Sequence, residues 1–164
     1  MSADRLRAEI QQERPFGSLE EEAFLNLQRT LAMLSVPFAK ILKPHGISPA
    51  QYNVLRILRG TGAGGLPCKT IGCRMIARDP DVTRLVDRLE RAGLVERRRE
   101  SPDRRVINVR ITRRGLALLT ELDGPVAGVH LAQLSHMSRR DLRALVDLLE
   151  NARHRAGRAR PENP

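Results

Sequence analysis

This sequence predicts a mainly α-helical fold with one small β-ribbon, and three observations predict it. The first is the stretch from Asp81 to Gly115, DVTRLVDRLERAGLVERRRESPDRRVINVRITRRG. It reads as a basic amphipathic helix, a glycine stop and a two-stranded ribbon tipped by Asp103-Arg104-Arg105. The second is the recurrence of apolar residues at steps of three and four on both sides of that stretch, the period of a helix face. The third is a set of helix-start signals at Ser18, Ser48, Thr112 and Ser138.

The totals bound the chain before any element is assigned. With 164 residues it is one domain, or one core plus an assembly element. A hydrophobic content of 41% excludes wholesale disorder. Aromatic residues make up only 2%, namely Phe16, Phe24, Phe38 and Tyr52, which disfavours the stacking platforms used for single-stranded nucleic acid. No run approaches the ~20 apolar residues of a membrane span. The first residues lack the apolar core of a secretory signal, so the expected setting is cytoplasmic.

The formal charge is +10, from 29 cations against 19 acids, and only Lys40, Lys43 and Lys69 are lysine. Its distribution says more than its total. Residues 69–114 hold 14 cations and 7 acids, whereas residues 1–22 hold 3 cations and 6 acids. Charge concentrated in one segment is the footprint of a polyanion.

Residues 1–17 are polar and read as a flexible arm. Ser18, with Glu21 three residues on, starts a helix of about 24 residues. Along it Phe24, Leu27, Leu31, Leu34, Phe38 and Ile41 form a seam, and Pro37 is expected to kink it. Ser48-Pro49-Ala50-Gln51 starts the next helix with a capping box, and Val54, Leu55 and Leu58 are its buried stripe. Gly60 to Gly65 reads as a flexible loop. Residues 68–77 form a short helix burying Ile71, Met75 and Ile76.

Arg78-Asp79-Pro80 is a tight turn, with Asp79 as the cap and Pro80 as the first residue of the following helix. There Val82, Leu85, Val86 and Leu89 face inward, while Thr83, Arg84, Asp87, Arg88 and Arg91 face out. Two short helices joined by a tight turn, the second basic outside, make a helix-turn-helix. Leu94–Arg99 and Arg105–Ile111 read as strands, with Ile107, Val109 and Ile111 on one face and Ser101-Pro102-Asp103 between them. The ribbon makes the unit winged, and double-stranded DNA becomes the expected partner.

Thr112 then caps a helix carrying Leu116, Leu119, Leu122, Val126 and Val129, with Gly124-Pro125 as its point of weakness. Ser138 with Asp141 starts a last helix carrying Leu142, Leu145, Val146 and Leu149. The expected organisation is an arm over 1–17, a dimerising helical region over 18–44 and 112–154, and a winged DNA-binding unit over 45–111. A tail over 155–164 frays. Neither flank buries its stripe alone, so a homodimer is expected.

At these residues the sequence resembles the MarR family of bacterial transcription regulators. ISPAQYNVLRIL looks like the family's second helix. TRLVDRLERAGLVERR looks like its recognition helix and first wing strand. PDRRVINVRITRRG looks like its wing, a DRR turn followed by a Thr-x-x-Gly helix start. The likeness runs from about Phe24 to Asn151. It implies a homodimer that binds palindromic operators, usually as a repressor, without a cofactor. It also implies release by a small phenolic or aromatic acid, or by cysteine oxidation.

Thr83 and Arg84, near the start of the recognition helix, are expected at base edges in the major groove, where arginine pairs with guanine. Arg88 and Arg91 lie further along and are expected on phosphates, which position without specifying. The competing reading of this face, with Asp87, is a solvated surface holding an Asp87–Arg91 pair. By the resemblance Arg105 enters the minor groove, while Asp103 pairs with a neighbouring arginine to orient the tip beside Arg104. Phe38, His45 and Tyr52 surround the joint between the first two long helices, where the family binds ligands.

Cys68 and Cys73 project ~140° apart on one helix and have no zinc-ligand spacing, which favours ordinary thiols over a reactive Cys68 at the helix start. Family members that sense oxidation carry a cysteine in the first helix region, and this chain has none there. No nucleotide loop, carboxylate pair or nucleophile-base set supports an enzyme. A nonspecific DNA-coating protein is the alternative to a sequence-specific regulator.

Overall fold

The computed structural model describes residues 5–98 and 107–158, and its helices include one at each of the start signals Ser18, Ser48, Thr112 and Ser138. They are α1 (Arg5–Glu9), α2 (Leu19–Leu42), α3 (Pro49–Arg59), α4 (Cys68–Arg74), α5 (Val82–Arg91), α6 (Arg113–Leu134) and α7 (Arg139–Arg158). Strands β1 (Leu66–Pro67), β2 (Val95–Arg98) and β3 (Asn108–Ile111) form one antiparallel sheet in the order β1-β3-β2.

Three serines start helices by the same chemistry. Each side-chain oxygen accepts an amide proton that the first turn leaves without a helical partner. Ser18 accepts from Glu21, Ser48 from Gln51 and Ser138 from Asp141. Only at Ser48 does the third residue reach back to the cap amide to close the box. Glu21 reaches one residue further, to the N–H of Gly17 at 2.7 Å.

Contacts divide the chain into two compact units, one through Val126 and one from Ala127. The first contains one apolar core. Leu42 from α2, Leu55 and Leu58 from α3, Ile71 from α4, Leu89 from α5 and Leu119 from α6 are almost wholly buried in it. Tyr52 joins them, its ring edge-on to Phe38 with centroids 5.5 Å apart. In the second unit Leu142, Leu145 and Leu149 share the less exposed side of α7, and Val146 is 52% exposed.

Two glycines are fixed by close approach. Gly65 adopts φ +63°, and any side chain there would meet the Val109 carbonyl and the Arg110 side chain on β3. Only glycine fits both the backbone conformation and the space. Gly115, in the first turn of α6, lies against the Leu94 carbonyl and Ile111.

Several expectations are corrected. The stretch expected to be an arm contains α1, which buries Leu6 and brings Glu9 to Arg29 of α2. Ile76 is 92% exposed rather than buried. The chain leaves the helix at Met75 with extended backbone, so Met75 turns inward and Ile76 outward, its N–H taken by Asn53 Oδ1 at 2.9 Å. Asp79 does not cap α5. It accepts the N–H of Asp81, and Asp81 in turn accepts the N–H of Arg84. The cap therefore moves two residues on, leaving Pro80 in the turn.

Leu116 is 39% exposed, because Gly115 is the residue α6 turns against the sheet. The glycine loop contains a helical turn over Gly62–Gly64 and leads into the unexpected strand β1. α2 and α6 continue through Pro37 and Pro125. α7 continues to Arg158, past the expected start of the tail. Among the described residues, no helix is long and apolar enough to cross a membrane.

Candidate nucleic-acid interface

The candidate site is the outer face of α5, and its position is set by what lies beneath it. Val86 and Leu89 are wholly buried, Leu85 is nearly so, and Val82 packs at the edge of the core. This pattern fixes the rotation of the helix about its axis. Thr83, Arg84, Arg88 and Arg91 are consequently exposed.

Both ends of α5 are closed. At its start Asp81 accepts the Arg84 N–H at 3.0 Å, and its second oxygen lies 3.7 Å from Arg84 Nε. At its end Gly93 takes φ +70°, its N–H bonds to the Glu90 carbonyl, and the Leu94 N–H bonds to the Leu89 carbonyl. This left-handed cap satisfies carbonyls that the helix end would leave open. It also turns the chain directly into β2.

Asp87 behaves differently from its neighbours on this face. It is half-buried, and its carboxylate accepts a hydrogen bond from Arg97 Nη2 on β2. Arg97 Nη1 binds Glu90 Oε2, and the Arg97 backbone N–H reaches Glu90 Oε1 at 3.1 Å. The two carboxylates hold the Arg97 guanidinium above its ordinary pKa, the bond to Asp87 contributing most. Arg91 Nε binds the backbone carbonyl of Asp87 at 3.3 Å, so Arg91 does not make the carboxylate pair considered above.

Sequence reasoning missed Arg97 and Glu90 because a contact between a helix and the following strand has no fixed residue spacing. It also missed Arg59, which forms a forked pair with Asp123 across 64 residues.

In the wing, β2 and β3 pair with Val95 opposite Ile111 and Arg98 opposite Asn108. Val109 is wholly buried beneath them, Ile111 is half-buried and Ile107 is 39% exposed. The tip residues Asp103, Arg104 and Arg105 lie outside the described residues. Phe38 and Tyr52 meet as expected, and half-buried His45 ends the turn Lys43–His45 between their helices. Cys68 is half-buried and Cys73 exposed, both as free thiols.

Helices α4 and α5, their turn, and a three-stranded sheet returning beside the second helix define a winged helix-turn-helix protein. The MarR family model matches residues 47–107, from the start of α3 into the wing. A MarR transcription factor of Planctomyces limnophilus is 40% identical in sequence, its structure covering 82% of this chain and 98% of its own, with a TM-score of 0.64. The transcriptional repressor MdtR of Bacillus subtilis is 32% identical over 114 residues, 70% of this chain and 64% of its own. CouR of Rhodococcus jostii, solved bound to p-coumaroyl-CoA, is 25% identical, with a TM-score of 0.70 over 84% of this chain and 95% of its own. The chain belongs to the MarR family of transcriptional regulators.

Proposed function

We propose that the chain is a sequence-specific repressor that binds palindromic operators as a homodimer in the cytoplasm and is released by a small aromatic acid. The observation that carries this reading is α5, a helix locked by its apolar side and presenting Thr83, Arg84, Arg88 and Arg91 outward. An α-helix fits the major groove, where each base pair displays its own pattern of donors and acceptors. Thr83 and Arg84 read bases near the helix start, and Arg88 and Arg91 hold phosphates further along. Asp103, Arg104 and Arg105 extend the contact from the wing, with Arg105 in the minor groove.

Dimerisation is supported by the apolar side chains that α2 leaves in solvent. Phe24, Leu27 and Leu31 are 59%, 46% and 68% exposed and share one face. A seam of that length favours covering by a second copy. Ligand control is supported by the relative that binds p-coumaroyl-CoA and by the aromatic pair at the α2–α3 joint, where Phe38, Tyr52 and His45 form the proposed ligand site.

Selection of bound fragments from random duplex DNA tests the core of this reading. A twofold-symmetric consensus is the expected result. Fragments without a consensus would instead identify a nonspecific DNA-coating protein.

A further inference from the structure

We propose that Arg97 is a positioning residue that keeps the carboxylates of Asp87 and Glu90 from opposing DNA, an inference that rests on α5 being the DNA-facing helix. Within Val82–Arg91 three arginines, Arg84, Arg88 and Arg91, stand against two acids, Asp87 and Glu90. The helix alone is therefore only weakly cationic. Two carboxylates on or beside a face that approaches phosphates would repel them, and the interaction strengthens as water is excluded.

Arg97 alters that balance from the neighbouring strand. One guanidinium nitrogen binds Asp87 and another binds Glu90, so a single cation serves both acids. The three side chains are 26%, 40% and 37% exposed, which places the cluster between free surface and core. Screening by solvent is thus incomplete, and the neutralisation persists at the interface.

The contact also has a fixed geometry. β2 is an edge strand, and Glu90 takes the Arg97 N–H as well as its guanidinium. The strand cannot slide along α5 without breaking both bonds. Asp87 thereby changes role: it orients Arg97 and does not itself meet the DNA.

The test measures binding to a duplex of unrelated sequence across a salt titration. Arg97→Met is expected to bind about tenfold more weakly at ~0.1 M salt, and the loss shrinks as added salt screens the exposed carboxylates. Arg97→Lys keeps the charge and is expected to retain most binding, which guards against misreading a folding defect. The decisive variant is Arg97→Met with Asp87→Asn and Glu90→Gln. Removing two acids and one cation leaves α5 and β2 more cationic than in the parent, so this variant is expected to match or exceed parental affinity.

A triple variant as weak as the single one overturns the proposal, as does an Arg97→Met protein that binds like the parent. Arg88→Ala is measured in parallel. If it too binds like the parent, α5 does not face DNA and the underlying site reading fails. If it weakens while Arg97→Met does not, only the role of Arg97 is wrong.

Discussion

Arg59 on α3 and Asp123 on α6 are joined by two hydrogen bonds of 2.8 and 2.9 Å, one from each terminal guanidinium nitrogen to its own carboxylate oxygen. The forked geometry orients as well as attracts. It ties the first helix of the DNA-binding unit to the helix that follows the wing.

The pair has an acid limit. The hydrogen bond from Arg59 holds the Asp123 carboxyl below its ordinary pKa. A depressed carboxyl contributes stability above its unfolded value, near ~3.9, and loses it as pH falls through the folded value. Thermal melts of the parent and Asp123→Asn are therefore expected to differ at neutral pH and converge as the pH drops below about 4. A constant difference between pH 7 and pH 3 would show that the pair does not set this stability.

The two ends of α5 are expected to respond differently to truncation. Arg84→Ala should relax preference at one base pair of each half-site by about 1–3 kcal/mol. Arg88→Ala should weaken all sequences alike and flatten the salt slope by about one unit. Competition assays with single-pair operator variants separate the two effects, and equal losses on every sequence for both variants would refute the division.

Gly115 is expected to tolerate no side chain. Gly115→Ala pushes a methyl group into the Leu94 carbonyl and Ile111, a strain of about 1–3 kcal/mol. Urea unfolding measures it. Gly124→Ala is the comparison, since among the described residues nothing lies near that position and alanine favours a helix. Gly115→Ala should fall below the parent in midpoint and Gly124→Ala should not.

The exposed seam of α2 predicts the assembly state. Leu27→Glu with Leu31→Glu should yield a smaller species in sedimentation and abolish binding to a two-half-site operator, while helical content is retained. In the parent dimer the recognition helices should lie about one DNA turn apart, ~34 Å, or a multiple of it. A folded parental monomer at micromolar concentration contradicts this.

Control is expected through a ligand rather than through the thiols. A salicylate-like acid should release the parent from DNA, and hundredfold weakening corresponds to about 2.7 kcal/mol of coupling. The Cys68→Ser, Cys73→Ser double variant should respond equally to the acid. Release of the parent but not the variant by peroxide, with neither responding to the acid, would identify oxidation as the switch.

The elements most legible in the sequence were those specified by local chemistry. Ser48 and Gln51 close their box, Gly93 stops α5, and Thr112 caps α6 because each signal lies within a few residues of its effect. The buried side of α5 was equally clear, since periodicity alone assigns Val86 and Leu89 to the core. Local ambiguity defeated the start of α5, where Asp79 and Asp81 are both competent caps and a turn bond occupies the first. Ile76 departs from the helical expectation because helical phase ends at Met75, where the backbone opens. Strand β1 was hidden for another reason: two residues, Leu66 and Pro67, carry no pattern, and their pairing depends on β3 more than forty residues away. Of the site, the outward residues could be read from sequence, but the diversion of Asp87 to Arg97 could not.

Thr112 has a mechanical consequence. Its hydroxyl donates to the Gly93 carbonyl at 2.8 Å and accepts the Gly115 N–H at 3.1 Å, while its own N–H bonds to the Leu94 carbonyl at 3.1 Å. The exit of α5 and the entry of α6 are thus fastened at one corner, with the wing as an excursion between them. Torque applied to α6 has no slack loop in which to dissipate there. Thr112→Val would remove the hydroxyl that bonds to both sides of that corner.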